Sequence, residues 1–170
     1  MQLRRQLLFI PALVLAITGL PAVILAQTTN LAFGTIQQDT SLPIEVTAES
    51  LSVSQTDGTA IFTGNVVIIQ GEMRLAAPRV LVVYAQATDA QEARIARLEA
   101  TGGVILISGP DAAEAERADY NVDDGEVVMR GNVLLTQGAS ALTSDLMTVD
   151  LAGGTAQMDG RVKTILRGAD

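Results

Sequence analysis

An eight-residue pattern that returns along the chain constrains its fold more than any other feature. Gly64-Asn65-Val66-Val67-Ile68-Ile69-Gln70-Gly71 comes back as Gly131-Asn132-Val133-Leu134-Leu135-Thr136-Gln137-Gly138. A weaker copy is Gly102-Gly103-Val104-Ile105-Leu106-Ile107-Ser108-Gly109, and a truncated one begins at Gly160-Arg161-Val162. The leading glycines are 38, 29 and 29 residues apart. Three of them follow an earlier glycine by six residues: Gly58 before Gly64, Gly125 before Gly131, Gly154 before Gly160. Asp57-Gly58, Asp124-Gly125 and Gly153-Gly154 supply the positive φ that a tight hairpin turn needs. Upstream of the turns, Leu51 and Val53 correspond to Met147 and Val149. Each unit therefore reads as strand, turn, strand, glycine kink, strand. Such a unit cannot bury its apolar face alone, so neighbours must stack. A glycine inside a strand marks a bend or a bulge. Four of them at one repeat position predict a sheet that folds over along a line of corners.

From Pro43 onwards short runs of Val, Ile, Leu and Thr alternate with Gly- or Asp-containing turns every 8 to 12 residues. That spacing belongs to an all-β sandwich or barrel. Thr88–Leu98 fits a capped helix, with Thr88 and Gln91 as a capping box. It also fits a polar loop leading into a strand over 94–100, which the repeat requires ahead of Gly102. The turn spacing leaves no room in 43–166 for a helix longer than about two turns. Residues 27–42 are polar and irregular, and read as a flexible mature N-terminus ahead of a domain over 43–168.

The first 26 residues have the anatomy of a secretory signal: Arg4 and Arg5, then an apolar stretch ending Ile24-Leu25-Ala26. An uncleaved anchor is the alternative, since the stretch is long enough to span a bilayer. The formal net charge is −8, and cleavage after Ala26 would remove two positive charges. Such a chain repels nucleic-acid phosphates, so no nucleic-acid partner is expected. There is no Cys and no His. Disulfides, Cys/His zinc sites and His-based triads are thereby excluded, and no phosphate-binding or dinucleotide motif is present. The expected protein is neither an enzyme nor a cofactor or metal carrier. The carboxylates at Asp123-Asp124, Glu114 and Glu116 read as turn and surface charge. So do the scattered Arg residues at 74, 79, 94, 97, 117, 130 and 161, with lipid phosphate as a second possible partner.

Side chains alternate across a strand. Counting from Gly64 places Phe62, Val66 and Ile68 on one face. The matching positions are Val104 and Leu106 in the weak copy, and Met129, Val133 and Leu135 in the strong one. That face is apolar in every copy. The opposite face is partly apolar too, at Val67, Ile69, Ile105 and Ile107. Beyond the signal, the large aromatics are Phe33, Phe62, Tyr84 and Tyr120. An interior of aliphatic side chains fits a plain core. It equally fits a greasy trough, where each buried acyl methylene gains about 0.8 kcal/mol.

Pro43-Ile44-Glu45-Val46-Thr47-Ala48-Glu49-Ser50-Leu51-Ser52-Val53, continued by Gly58-Thr59-Ala60-Ile61-Phe62-Thr63-Gly64-Asn65-Val66, resembles the opening of the OstA-like family. Gln70-Gly71, the run 75–84 and the return of Gly-Asn-Val at 131 agree. The resemblance covers 43 to about 166. It implies a twisted, open β-jelly-roll, V-shaped in section, with an apolar interior trough open at both ends. It implies a periplasmic protein of outer-membrane biogenesis in the Gram-negative envelope. Such a protein carries lipopolysaccharide, with the lipid A acyl chains inside, from an LptC-like inner-membrane protein to an LptD-like outer-membrane translocon. Copies associate head to tail. By resemblance, interior contacts fall on Ile44, Val46, Leu106, Tyr120 and Val122. With the repeat positions Leu51, Val53, Phe62, Val66, Ile68, Val104, Met129, Val133, Leu135, Met147 and Val149, these form the expected lipid-binding set. Two other readings stay open: an LptC-like subunit held by an uncleaved N-terminal helix, and a structural β-solenoid without ligand.

Overall fold

The computed structural model describes residues 30–34, 38–85 and 94–165. Among them are eleven strands and no helix. They are β1 (Asn30–Ala32), β2 (Glu45–Thr47), β3 (Ser50–Ser54), β4 (Thr59–Gln70), β5 (Met73–Ala85), β6 (Arg94–Ser108), β7 (Asp111–Asn121), β8 (Glu126–Gln137), β9 (Ser140–Asp150), β10 (Thr155–Asp159) and β11 (Lys163–Ile165). All pairings are antiparallel, and from β4 to β10 each strand pairs with the next in sequence. The architecture is the expected all-β open sheet. The strand expected before Gly102 is β6, which begins at Arg94. The rest of the 88–98 segment lies outside the described residues, as does the 1–26 signal reading.

The four kink glycines do bend the sheet. Gly64, Gly102, Gly131 and Gly160 have φ of 81°, 96°, 84° and 74°. The residue after each, Asn65, Gly103, Asn132 or Arg161, also has positive φ. At the first three kinks two residues oppose one. Gly64-Asn65 lie between the pairs Thr63↔Arg79 and Val66↔Ala77, so they face Pro78 alone. Gly102-Gly103 likewise face Glu116, and Gly131-Asn132 face Asp145. These are β-bulges, which bend and twist a strand. Aligned across the sheet, they fold each long strand into two arms and the sheet into two facing layers.

One layer holds 66–77, 104–115 and 133–144. The other holds 59–63, 79–83, 97–101, 117–121, 126–130, 146–150 and β10. The inward side chains of both belong to one core cluster. At one end of the sheet β2 and β3 flank the two arms of β4. At the other end β11 flanks one arm of β9, and β10 the other.

Part of the 27–42 segment, read from the sequence as a flexible N-terminus, is a strand in the structure. Asn30, Leu31 and Ala32 pair with Gln157, Ala156 and Thr155, so the first strand closes the edge of β10 at the far end of the sheet. Phe33 follows with only 2 % of its surface exposed. Three residues are too short for a period-2 pattern to register, and what recruits them is the open edge of β10.

Candidate functional site

The repeat faces meet in the middle of the fold. Val66, Ile68, Val104, Leu106, Tyr120, Met129, Val133, Leu135, Met147 and Val149 are each at most 1 % exposed. Ile44, Val46, Phe62 and Val122 pack more loosely against them. In place of an open trough, the two apolar faces are closed on each other and shed water, as the hydrophobic effect favours. Leu51 and Val53 lie opposite Phe62 and Ala60 on the same face. They are nonetheless 56 % and 61 % exposed, because β3 is an outermost strand.

The structure adds interior residues that counting from the glycines missed: Leu75, Val80, Val82, Leu98, Val127 and Met158. Part of the reason is that β5, β7 and β9 turn their corner on one residue, Pro78, Glu116 or Asp145. A one-residue corner reverses the parity of the inward side chains. On β5 the buried positions run Met73, Leu75, Ala77 and then Val80, Val82. On β4 the two-residue corner preserves parity, so Ala60, Val66 and Ile68 stay in step.

Three hairpin turns form one lip of the folded sheet, at Gly71, Gly109 and Gly138, with φ of 58°, 57° and 56°. The residues beside these turns, Gln70, Ser108, Asp111 and Gln137, continue the inward series of Ile68, Leu106, Ala113 and Leu135. The apolar interior therefore ends in a polar rim. Tyr120, from the opposite layer, donates its hydroxyl to Gln70 Oε1 at 2.6 Å. Burial pushes the Tyr120 phenol above its usual pKa, against a smaller opposite effect of the Gln70 bond. Gln70 Nε2 donates to the carbonyls of Thr40 and Leu42 at 2.8 and 2.9 Å. Gln137 Nε2 donates to the Ala32 carbonyl and to Asp111 Oδ2. The Gln-Gly repeat was visible in the sequence, and the parity of Ile68 and Leu135 was the signal that Gln70 and Gln137 point inward.

The carboxylates have structural work at the corners. Glu49 accepts from Asn65 Nδ2, and Glu116 accepts from Asn132 Nδ2 at 2.7 Å. Asp145 takes Arg161 in a two-pronged contact, at 3.0 Å to Nε and 2.6 Å to Nη2. That hydrogen bond holds the Asp145 carboxyl below its usual pKa. Arg94, Arg97 and Arg130 pair with Asp123, Glu99 and Asp119. No group of three or more metal-ligating side chains occurs among the described residues.

A folded-over antiparallel sheet with a dry aliphatic interior and a polar rim defines the class: an open β-jelly-roll whose layers enclose an apolar space. The family model described as LptA/(LptD N-terminal domain) LPS transport protein matches residues 45–155. The chain belongs to this family. It is 30 % identical to an uncharacterized protein of Rhizobium meliloti (strain 1021), over 96 % of this chain and 94 % of that one. Its fold is similar to that of LptH from Pseudomonas aeruginosa, the LptA-homologous periplasmic component of the lipopolysaccharide transport device. The TM-score is 0.65 at 17 % identity, covering 77 % of this chain and 99 % of LptH.

Proposed function

We propose that this protein is a periplasmic bridge for lipopolysaccharide, holding lipid A acyl chains between its two layers without catalysis. The observation that carries this reading is the unbroken apolar interior. It runs strand by strand from Val46 and Ile68 at one end to Met147, Val149 and Met158 at the other. Alanines at 100, 113 and 118 keep its middle narrow and smooth. Acyl chains need apolar surface and no directional partner, so such a passage suits them and binding scales with buried methylenes. The family to which the chain belongs supports the same reading, and it supports an LptC-like donor, an LptD-like acceptor and head-to-tail copies in between. The expected lipid contacts are Val66, Ile68, Val104, Leu106, Met129, Val133, Leu135, Met147 and Val149 inside. Ile44, Val46, Leu51, Val53, Phe62, Tyr120 and Val122 lie toward the ends and rim.

The test is lipid extraction from protein exported in a Gram-negative host and purified without detergent. Lipid A is expected in the wild type and should be depleted in Val133→Asp, where a charge meets an apolar interior. A wild type that carries no lipid and takes none from added lipopolysaccharide ends the reading. Mass spectrometry of the exported chain separates the anchored alternative: a start near Gln27 fits a soluble carrier.

A further inference from the structure

An interior closed on itself must open before a chain enters, and the structure shows what lies across its mouth. Leu31–Gly34 and Gln38–Leu42 touch the turns of both layers. On the first lip, Gly34 N donates to Asp111 Oδ2 at 2.8 Å, and Gln38 Nε2 to Ser108 Oγ at 3.0 Å. The Glu72 amide donates to Gln38 Oε1 at 3.2 Å. On the second lip, Phe33 N donates to the Gly154 carbonyl and Gln38 N to the Leu151 carbonyl, both at 3.0 Å. The approach is tight: a Cβ on Gly34 would lie 2.5 Å from Ser108 Oγ, and one on Gly125 would lie 3.1 Å from Thr40 Cγ2. Between these anchors the Phe33 ring is inserted into the core cluster.

We propose that these two stretches form a displaceable strap that holds the mouth shut, with Phe33 as a tethered occupant of space that an acyl chain takes. This rests on the lipid-carrier reading above. The strap is held by a three-residue strand, one ring and hydrogen bonds at the rim. Gln70, Ser108, Asp111 and Gln137 sit at the lip, so after the strap leaves they meet water rather than remaining buried without partners. An acyl chain replaces the apolar contact that the Phe33 ring makes with the core. Lipid and strap therefore compete for the same mouth, and the strap lowers apparent lipid affinity by the fraction of time it is seated.

The chain has no cysteine, so Gln38→Cys with Ser108→Cys introduces one disulfide and no other. The probe is purified lipopolysaccharide, titrated against the oxidised and reduced protein. Oxidation should weaken binding by about tenfold or more, with recovery on reduction, and prior loading with lipopolysaccharide should slow disulfide closure. Phe33→Ala, checked for folding by circular dichroism, should bind more tightly than the wild type. Equal affinity of the oxidised and reduced forms overturns the strap while the carrier reading stands. If the pair does not oxidise, equal affinity of Phe33→Ala and wild type overturns it. Failure of the wild type and of every variant to bind removes the carrier reading and the strap together.

Discussion

Tyr120 and Gln70 sit on opposite layers of the folded sheet and are joined by a buried 2.6 Å hydrogen bond from the phenol to the amide oxygen. Fifty residues separate them in sequence. The same Gln70 amide donates both its hydrogens to the chain crossing the mouth, at Thr40 and Leu42. One side chain thus ties together both layers and the strap. Tyr120→Phe preserves the ring and leaves Gln70 Oε1 without its donor, which should cost about 1–3 kcal/mol. Urea unfolding of the single variants and of Tyr120→Phe with Gln70→Ala gives the coupling, expected at about 0.5–3 kcal/mol. Strict additivity would mean that the bond does not join the layers in solution.

The same tyrosine sets an alkaline limit. Burial favours its neutral form and raises its pKa above the ordinary value of 10.0. A group whose pKa is raised on folding contributes stability that is complete below the unfolded pKa. That contribution is lost as pH climbs through the folded one. Wild-type stability should therefore fall as pH rises past about 10. Tyr120→Phe should lack this component of the fall. Parallel urea titrations at stepped alkaline pH decide it: identical slopes for the two proteins would exclude Tyr120 as the cause.

Much of this architecture is legible in the residues, and the rest is hidden for definite reasons. The corners announce themselves at Gly64, Gly102, Gly131 and Gly160 because positive φ selects glycine. The alternate corners at Pro78, Glu116 and Asp145 carry no such mark. The parity reversal on β5 and β7 therefore went unseen, and Leu75, Val80 and Val82 with it. The apolar face of the repeat identified Val66, Leu106 and Val133 as interior. Periodicity does not say whether two such faces touch or stand apart, so the closed state came only from the structure. Leu51 matched Met147 by repeat position, yet an edge strand exposes what a central strand buries. Phe33 was hidden because what holds it is far along the chain: its amide bonds to the Gly154 carbonyl, and its neighbour Gly34 bonds to Asp111, 77 residues from it.

Two glycines with similar backbones separate the corner from the turn. Gly131 has φ of 84°, and a Cβ there would lie 2.9 Å from the Cβ of Glu116. Gly138 has φ of 56° and nothing within 4 Å of such a Cβ. Alanine at either position meets the left-handed penalty of about 1–2 kcal/mol. Only at Gly131 does it also force the Glu116 strand away and strain the bulge. Gly131→Ala should therefore lose about 1 kcal/mol or more beyond Gly138→Ala. Thermal melts of the two variants make the comparison, and equal losses would mean that Glu116 yields freely.

The sheet is not closed, so its ends are where the proposed stacking of copies would occur. At one end β2 and β3 are outermost. At the other, β11 borders one layer, while β1 covers β10 and borders the second. The far edge is thus shared between the last strand and the first. Unpaired edges recruit strands. A contact between two different ends is heterologous and adds copies without closing a ring. Leu51 and Val53 mark the near end: they lie on the interior face yet are more than half exposed. Val162 and Ile165 are about half exposed at the far end. Stacking one copy on the next would cover these side chains and join the two interiors. In an isolated copy both side chains are more than half exposed, so Leu51→Glu with Val53→Glu should change stability by only about 0.5 kcal/mol per site. In a stack the same charges would be trapped against apolar surface. Sedimentation over a rising concentration series tests this. The wild-type mass should grow without a fixed stoichiometry, and the double variant should remain a folded monomer. Growth of the variant at the wild-type rate would show that stacking does not use the β3 end.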